Sequence, residues 1–276
     1  MRRFIKGIKY FLRKVSASRV NAYSAQTAYF MFLSLIPLIM MLLSLLQLFG
    51  DTGETLTDTI SEILPGILGE FINEYVIEII TDGKLTPTII SAILLLWSSS
   101  RGVFSIIGGL NSVYEIKETR KYLWVRFLSV LYTLAFIIIV CGVLLIIVFG
   151  DALIELSNSF FPNLKGLVYI ISSLRFIIGF IILVLFFSIV YKSLPSRKMK
   201  FIDQIPGAVI AGAGWVSFSI LFSFYVDNFS NYANVYGSLT AIIVLMLWLY
   251  TCMYIMFICA EINFILSSKV NEESRN

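Results

Sequence analysis

The sequence has few charged residues, and this shortage excludes a soluble fold. Charged residues make up 14% of the 276 residues and hydrophobic residues 58%, whereas soluble domains have about 25% and about 45–50%. The mean hydropathy is +0.89. Such a chain has too little polar surface to cover a water-soluble fold, so we predict that it lies in a membrane.

Histidine is absent, which removes the commonest general base and the commonest metal ligand. Ser-His-Asp and Cys-His mechanisms and zinc sites with histidine ligands are thereby excluded. The three cysteines lie in apolar runs without CxxC spacing and are interpreted as packing residues. The chain also lacks the GxxxxGK[ST] motif of ATP-binding loops. We predict no catalytic residues, no metal site and no cofactor.

Six apolar runs are long enough to cross a bilayer, which takes about 20 residues in a helix. They do not alternate as the roughly 10-residue strands of a membrane barrel do. The predicted fold is all-α, a polytopic integral membrane protein whose membrane domain covers residues 25–268. Its predicted transmembrane helices are 28–49, 88–110, 127–149, 167–191, 205–226 and 239–260.

The lysines and arginines predict the orientation of these six helices. If both termini are cytoplasmic, the N-terminus, the inner loops and the tail 269–276 hold 17 of the 21 basic residues. The outer loops hold only Lys84 and Lys165. Because positive residues accumulate on the cytoplasmic side, we predict cytoplasmic termini.

Two segments outside the predicted spans are amphipathic. Residues 1–24 are basic with apolar positions at helical spacing, which predicts an interfacial helix on the inner leaflet. Anionic lipid head groups are the expected partners of this basic face; the same residues also serve as the positive anchor of the first span. The outer loop 51–87 carries apolar residues at helical spacing and an acidic face, which predicts an amphipathic helix in one or two pieces that either lies on the bilayer or caps the helical bundle. That acidic face is either a solvated surface or a vestibule that selects against anions.

Charged and amide residues at membrane depth are the first candidates for a ligand site or pathway, because buried charge is costly. Arg101 interrupts the second span, and Glu261 lies beside Asn263 near the inner end of the sixth. We hypothesise that Arg101 pairs with Glu261, with Asn111 and Asn263 completing the hydrogen bonds. Alternatively, Arg101 extends to the inner head groups and Glu261 is an ordinary interfacial residue. Arg175 either binds a phosphate or carboxylate group or extends outward.

Proline and glycine mark candidate positions for gating or close packing. Pro37 predicts a kink in the first span. Gly207, Gly212 and Gly214 make the fifth span rich in small residues, which favours close helix packing or a helix that moves near a transport path. Gly237 lies in a polar, aromatic segment before the sixth span, interpreted as a tight turn or a rim that faces a ligand.

Several blocks of the sequence resemble one family. They are SAQTAYFMFLSLIPLIMMLLSLL (24–46), LLLWSSSRGVFSIIGGLNSVY (94–114), RFLSVLYTL (126–134), LPSRKMKFIDQIPGAVIAG (194–212) and YGSLTAIIVLMLWLYTCMYIMFICAEIN (236–263). The chain is similar to the YihY/virulence factor BrkB family from about residue 10 to 268. The resemblance implies a multi-pass bacterial inner or plasma membrane protein with six spans and no settled activity. Members are also labelled ribonuclease BN, but a metal-dependent nuclease needs clustered carboxylates or histidines, and the inner acidic residues here are scattered.

Three classes of function are compatible with a six-helix membrane protein of this composition. The leading hypothesis is a transporter or translocator of an amphipathic or lipid-like molecule. The alternative is a membrane scaffold or envelope-integrity protein that binds partners through its basic inner loops. An intramembrane enzyme lacks paired catalytic residues in the sequence, and a nucleic acid partner is not expected. The sequence leaves the oligomeric state open, a homo-oligomer included.

Overall fold

The computed structural model describes residues 2–47, 86–148, 175–197, 199–228 and 239–273, and most of these residues lie in α-helices. The helices are α1 (Arg2–Ala17), α2 (Val20–Gln47), α3 (Thr86–Val113), α4 (Tyr122–Val148), α5 (Arg175–Ser193), α6 (Ile205–Asn228) and α7 (Leu239–Glu273). A 3-10 turn, Ile202–Gln204, precedes α6. Within the described residues no strand occurs, which confirms the predicted all-α class.

Three apolar segments are long enough to cross a membrane by length and composition: Ile93–Val113, Ile202–Val226 and Ile242–Ser267. Two shorter apolar helical segments are Tyr122–Ala135 and Gly179–Ser193. Each of these five segments overlaps one of the second to sixth predicted spans. The number of spans and the sides on which the termini lie stay predictions.

A sharp corner separates α1 from α2 in the segment 1–24, which the sequence predicts as a single interfacial helix. Arg19 has a φ of 53°, in the left-handed region that side chains usually avoid. The Ser18 amide donates to the Lys14 carbonyl at 2.9 Å, and the Arg19 amide donates to the Ser16 carbonyl at 3.1 Å. These bonds satisfy carbonyls at the end of α1 and turn the chain into α2 at Val20.

The chain also leaves α3 through a left-handed residue that is not glycine. Glu115 has a φ of 54°. The Ile116 amide donates to the Asn111 carbonyl at 2.8 Å, and the Glu115 amide donates to the Ser112 carbonyl at 3.3 Å. This is the paired bonding of a Schellman cap, in which the left-handed residue is usually glycine. A non-glycine residue there is strained by about 1–2 kcal/mol.

The chain divides into two compact units, which are described separately below. The first unit comprises Met1–Val20, Ile107–Ser217 and Ile255–Asn276, and the second comprises Asn21–Ile106 and Phe218–Tyr254. The core of the first unit includes the fully buried rings of Phe187 and Tyr191, stacked with centroids 6.1 Å apart. The Tyr191 hydroxyl donates to the Met256 carbonyl at 2.8 Å, which joins α5 to α7.

The last helix is longer than its apolar run predicts. The predicted span ends at residue 260, whereas α7 continues to Glu273. Helical hydrogen bonds do not depend on side-chain polarity, so a helix continues where hydropathy falls. Most of the predicted outer-loop helix, residues 51–85, lies outside the described residues, as do residues 167–174 of the fourth predicted span and Gly237.

Candidate functional site

Lys14 of α1 stands between two carboxylates of the first unit. Its Nζ atom lies 2.6 Å from Oε1 of Glu115 and 4.0 Å from Oε1 of Glu261. The Lys14 side chain is 9% exposed, the Glu115 side chain 67% and the Glu261 side chain 0%. The lysine therefore makes a short ion pair with the solvated carboxylate and a longer contact with the buried one.

Glu261 is incompletely hydrogen-bonded although it is fully buried. The Ser18 hydroxyl donates to its Oε2 atom over a long 3.4 Å. Its Oε1 atom takes no hydrogen bond from the part of the chain that the structure describes. Buried carboxylates are normally paired and hydrogen-bonded, because desolvating the charge costs several kcal/mol. This carboxylate thus keeps one oxygen available.

The α1–α2 corner is attached to the end of α3 and to α7. The Ser112 hydroxyl donates to the Ser18 carbonyl at 2.9 Å. The Lys14 ammonium lies 3.9 Å from the ring centroid of Phe264, a cation–π distance. The two strained residues, Arg19 and Glu115, follow Ser18 and Tyr114 directly, so the strain lies beside the ion cluster. Backbone strain of this kind gathers at functional sites.

A second buried polar group joins α6 to α7. Asn263 donates from Nδ2 to the Gln204 carbonyl at 3.0 Å, and its Oδ1 atom accepts from the Gly207 amide at 2.7 Å. The Tyr114 hydroxyl donates to Oε1 of Gln204 at 2.8 Å. Burial raises the pKa of the Tyr114 hydroxyl, which keeps it protonated as a donor. The three side chains satisfy one another at the start of α6.

Gly207 allows this contact because it has no side chain. A Cβ atom at this position would lie 2.5 Å from Cγ and Oδ1 of Asn263 and from the Cys259 carbonyl oxygen. At Gly212 the nearest atoms would be 3.4 Å away, an ordinary contact, and at Gly214 a side-chain atom of Ile255 would be 3.1 Å away. Of the three candidate glycines in α6, Gly207 is therefore the one that close packing requires.

A third group ties together the two loops that the sequence places on the inner side. Arg120 donates to both oxygens of Glu118 at 2.8 Å and to the Leu194 carbonyl at 3.1 Å. Asn111 donates to Glu118 at 2.8 Å and accepts from the Ser196 amide at 3.0 Å. The hydrogen bonds from Arg120 lower the pKa of the Glu118 carboxyl, which stays ionised at neutral pH. Asn111 thus joins the loop that follows α3 to the loop that follows α5.

Arg101 belongs to the second unit, and its surroundings differ from those of Glu261. Its side chain is exposed. The guanidinium carbon lies 5.5 Å from the ring centroid of Phe30 on α2 and 5.5 Å from that of Trp97, one turn earlier on α3. Arg101 therefore contacts two aromatic rings, and no ion pair described in the structure includes it.

The hypothesis that Arg101 pairs with Glu261 joins residues of the two separate units and stays a prediction. Glu261 has Lys14 as its basic neighbour, because the α1 corner brings the lysine against α7. Asn111 and Asn263 were expected to complete one site, but they hydrogen-bond in two separate groups. Two other candidates are Pro37 in α2 and Arg175 at the start of α5. Their side chains are not among those that the structure describes.

Sequence reasoning missed Lys14, Ser18, Gln204, Glu115 and Glu118. Lys14 is one of seven basic residues before position 20, and only its place beside Val15 and Ser18 on one helical face distinguishes it. Lys14 and Val15 near the end of α1 and Ser18 just after it are buried, whereas the apolar Leu12 is 60% exposed. No residue type marks Arg19 and Glu115 as left-handed, because neither is glycine.

The helices and their apolar segments define a multi-pass helical membrane protein, and the comparisons with known proteins agree. The family model described as Virulence factor BrkB matches residues 11–276, so the chain belongs to the virulence factor BrkB family. The ribonuclease-like protein YfkH of Bacillus subtilis is 33% identical over 249 residues, which cover 89% of this chain and 90% of that protein.

Further relatives carry membrane-protein names. A UPF0761 membrane protein of Photobacterium profundum is 26% identical over 95% of this chain and 81% of its own length. One of Aliivibrio fischeri is 28% identical over 91% of this chain and 79% of its own length. No solved structure matches the chain significantly. The chain is therefore a multi-pass bacterial membrane protein.

Proposed function

We propose that this protein is a transporter that moves an amphipathic, lipid-like molecule across the bacterial membrane, with Lys14 and Glu261 as part of its gate. The observation that supports the proposal is the incompletely satisfied carboxylate of Glu261. It is fully buried inside an apolar segment, and one of its oxygens lacks a hydrogen bond among the described residues. A charge in a span costs about 2.5–3.5 kcal/mol on insertion scales, and such charges commonly mark pathways.

The position of Lys14 suggests two states of the gate. In the described state the ammonium group is bonded to Glu115, with 4.0 Å between Nζ and Glu261. A small movement of the lysine towards Glu261 would complete the buried pair and draw α1 against α7. A movement of Lys14 away from Glu261 would release α1 from α7. Because the chain has no histidine, coupling of transport to protons would use carboxylates. Of the two carboxylates beside Lys14, Glu261 is the buried one.

The contribution of α1 is consistent with a gate rather than a fixed anchor. Among its described side chains, Lys14 and Val15 in the last turn are buried, whereas Lys9, Tyr10 and Arg13 are exposed. A helical segment with as few buried side chains as residues 9–17 separates from its neighbours more easily than a core helix. Basic exposed residues suit the anionic inner leaflet, which would hold the released helix at the membrane surface.

The test is lipid movement in liposomes that contain the purified protein and a fluorescent phospholipid. An impermeant reductant bleaches the outer-leaflet probe, and bleaching of the inner-leaflet probe reports transport. We expect the inner-leaflet probe to be bleached faster in liposomes that contain the wild-type protein than in protein-free liposomes. Glu261→Gln, which keeps the shape but removes the charge, should change this rate about tenfold if the pair contributes about 1.4 kcal/mol.

Glu118→Gln is the matched control, since it makes the same chemical change in a group that does not contact Glu261. It should transport lipid as the wild type does. Lys14→Met should alter the rate in the same direction as Glu261→Gln. The double variant should differ little from either single variant, because each of the three variants removes the same contact between Lys14 and Glu261. A correctly folded wild-type sample without transport above protein-free liposomes overturns the proposal and leaves the scaffold alternative.

A further inference from the structure

Arg101 carries its charge on an exposed, apolar stripe of α3. The stripe includes Ile90, Leu94 and Trp97, which are 53%, 50% and 59% exposed and precede Arg101 at helical spacing. The apolar segment begins at Ile93 and ends at Val113. At 1.5 Å per residue, Arg101 lies about 12 Å from its first end and about 18 Å from its second. An exposed arginine at this depth requires a favourable partner.

The two aromatic rings orient the guanidinium but leave its donors available. Phe30 and Trp97 lie 5.5 Å from it, which supplies cation–π attraction from the ring faces. An arginine has five N–H donors, and within the described part of the chain neither a hydrogen bond nor an ion pair engages those of Arg101. The side chain is therefore held in place without its hydrogen-bonding capacity being used.

The packing of α2 against α3 prepares this arrangement. A Cβ atom on Gly102 would lie 3.5 Å from Cγ of Met31, so the two helices approach closely beside the arginine. That approach brings Phe30 of α2 to Arg101 of α3. Because two helices build the position together, the guanidinium is preorganised, and a ligand need not immobilise a freely rotating side chain.

We propose that Arg101 binds the phosphate group of an anionic amphiphile held in the bilayer, while Ile90, Leu94 and Trp97 contact its apolar part. The guanidinium fork matches a phosphate with two parallel hydrogen bonds, which a lysine ammonium cannot reproduce. This inference rests on the proposed function and names its substrate class, a phosphate-bearing lipid. A phosphate group reaches the depth of Arg101 when an amphiphile crosses the membrane.

Binding is tested on the whole protein in lipid nanodiscs, by native mass spectrometry of the lipids that remain bound. The probes are phosphatidylglycerol and an uncharged diglycosyl lipid of equal chain length. Wild type should retain phosphatidylglycerol preferentially. Arg101→Gln should reduce its bound fraction about tenfold, which corresponds to about 1.4 kcal/mol, and Arg101→Lys should reduce it less. Leu221→Gln is the control, since it places the same glutamine side chain at an exposed position of α6 without removing a charge.

The source of the phosphate is distinguished by adding inorganic phosphate during retention. Displacement assigns the site to a free phosphate ion, and retention in its presence assigns the site to the lipid head group. If Arg101→Gln does not fold, Trp97→Leu keeps the arginine and should weaken retention about two- to fivefold through loss of one ring.

Equal retention of phosphatidylglycerol by Arg101→Gln and Leu221→Gln, or equal retention of the two lipids by wild type, overturns the assignment. The measurement is independent of transport. Arg101-dependent binding without lipid movement would refute the transporter proposal and support the lipid site at Arg101. Lipid movement without Arg101-dependent binding would support the transporter proposal and refute the lipid site.

Discussion

Replacement of Gly207 by alanine should destabilise the protein far more than the same change at Gly212. The added Cβ atom would lie 2.5 Å from the Asn263 side chain and from the Cys259 carbonyl oxygen. Because one of these atoms belongs to the backbone of α7, a side-chain rotation cannot relieve the clash, and α6 and α7 must separate. Overpacking costs about 1–3 kcal/mol.

Separation of the helices would also weaken the bond from the Gly207 amide to Asn263, now 2.7 Å long. A hydrogen bond contributes about 0.5–1.5 kcal/mol net, and the better helix propensity of alanine returns at most about 1 kcal/mol. The expected net loss is about 2–3 kcal/mol, or about 5–10 °C in melting temperature for a chain of this size.

The assay is thermal unfolding in detergent, followed by size-exclusion chromatography with tryptophan fluorescence. Gly212→Ala is the matched control, since its Cβ atom would meet only side-chain atoms, the nearest 3.4 Å away. Its melting temperature should equal or exceed that of the wild type. Equal melting temperatures for the two alanine variants would refute the reasoning that α6 and α7 touch at Gly207.

Three further predictions concern other groups of the first unit and the cysteines. Asn263→Leu should lower the melting temperature more than Gly212→Ala does, since it leaves the buried Gln204 carbonyl and the Gly207 amide without their partner. Since the folded-state pKa of Glu118 is lowered, its contribution to stability is present above the ordinary carboxyl pKa of about 4.3 and is lost as pH falls through the lowered value. The protection of the amides of residues 194–197 against hydrogen exchange, relative to the intrinsic exchange rate at each pH, should therefore fall in acid, and in Glu118→Gln at neutral pH. Cys252 and Cys259 are 0% and 3% exposed, so a hydrophilic maleimide should label them only after denaturation; fast labelling in the native protein would show that α7 is solvated there.

The helical class and the apolar segments could be predicted from the sequence, because hydropathy and periodicity report them directly. The same composition predicted a membrane location, which the family comparison supports. The boundary of α7 was less predictable, since the apolar run ends near residue 260 and the helix continues to Glu273. Glycine content predicted close packing in α6, but could not say that Gly207 carries the tightest contact of the three.

What the sequence determines by itself is which side chains are chemically unusual for a membrane helix, Arg101 and Glu261 among them, and that histidine chemistry is absent. The tertiary structure decides their partners. Glu261 has Lys14 as its neighbour because the chain turns at Arg19, before α2, and at Glu115, just after α3, both in left-handed conformations. Residue types other than glycine do not signal that conformation, and partner choice depends on the rotation of packed helices about their axes. For that reason charge and depth could nominate Arg101 as a partner, while only the packing of α1 against α7 brings a lysine to Glu261.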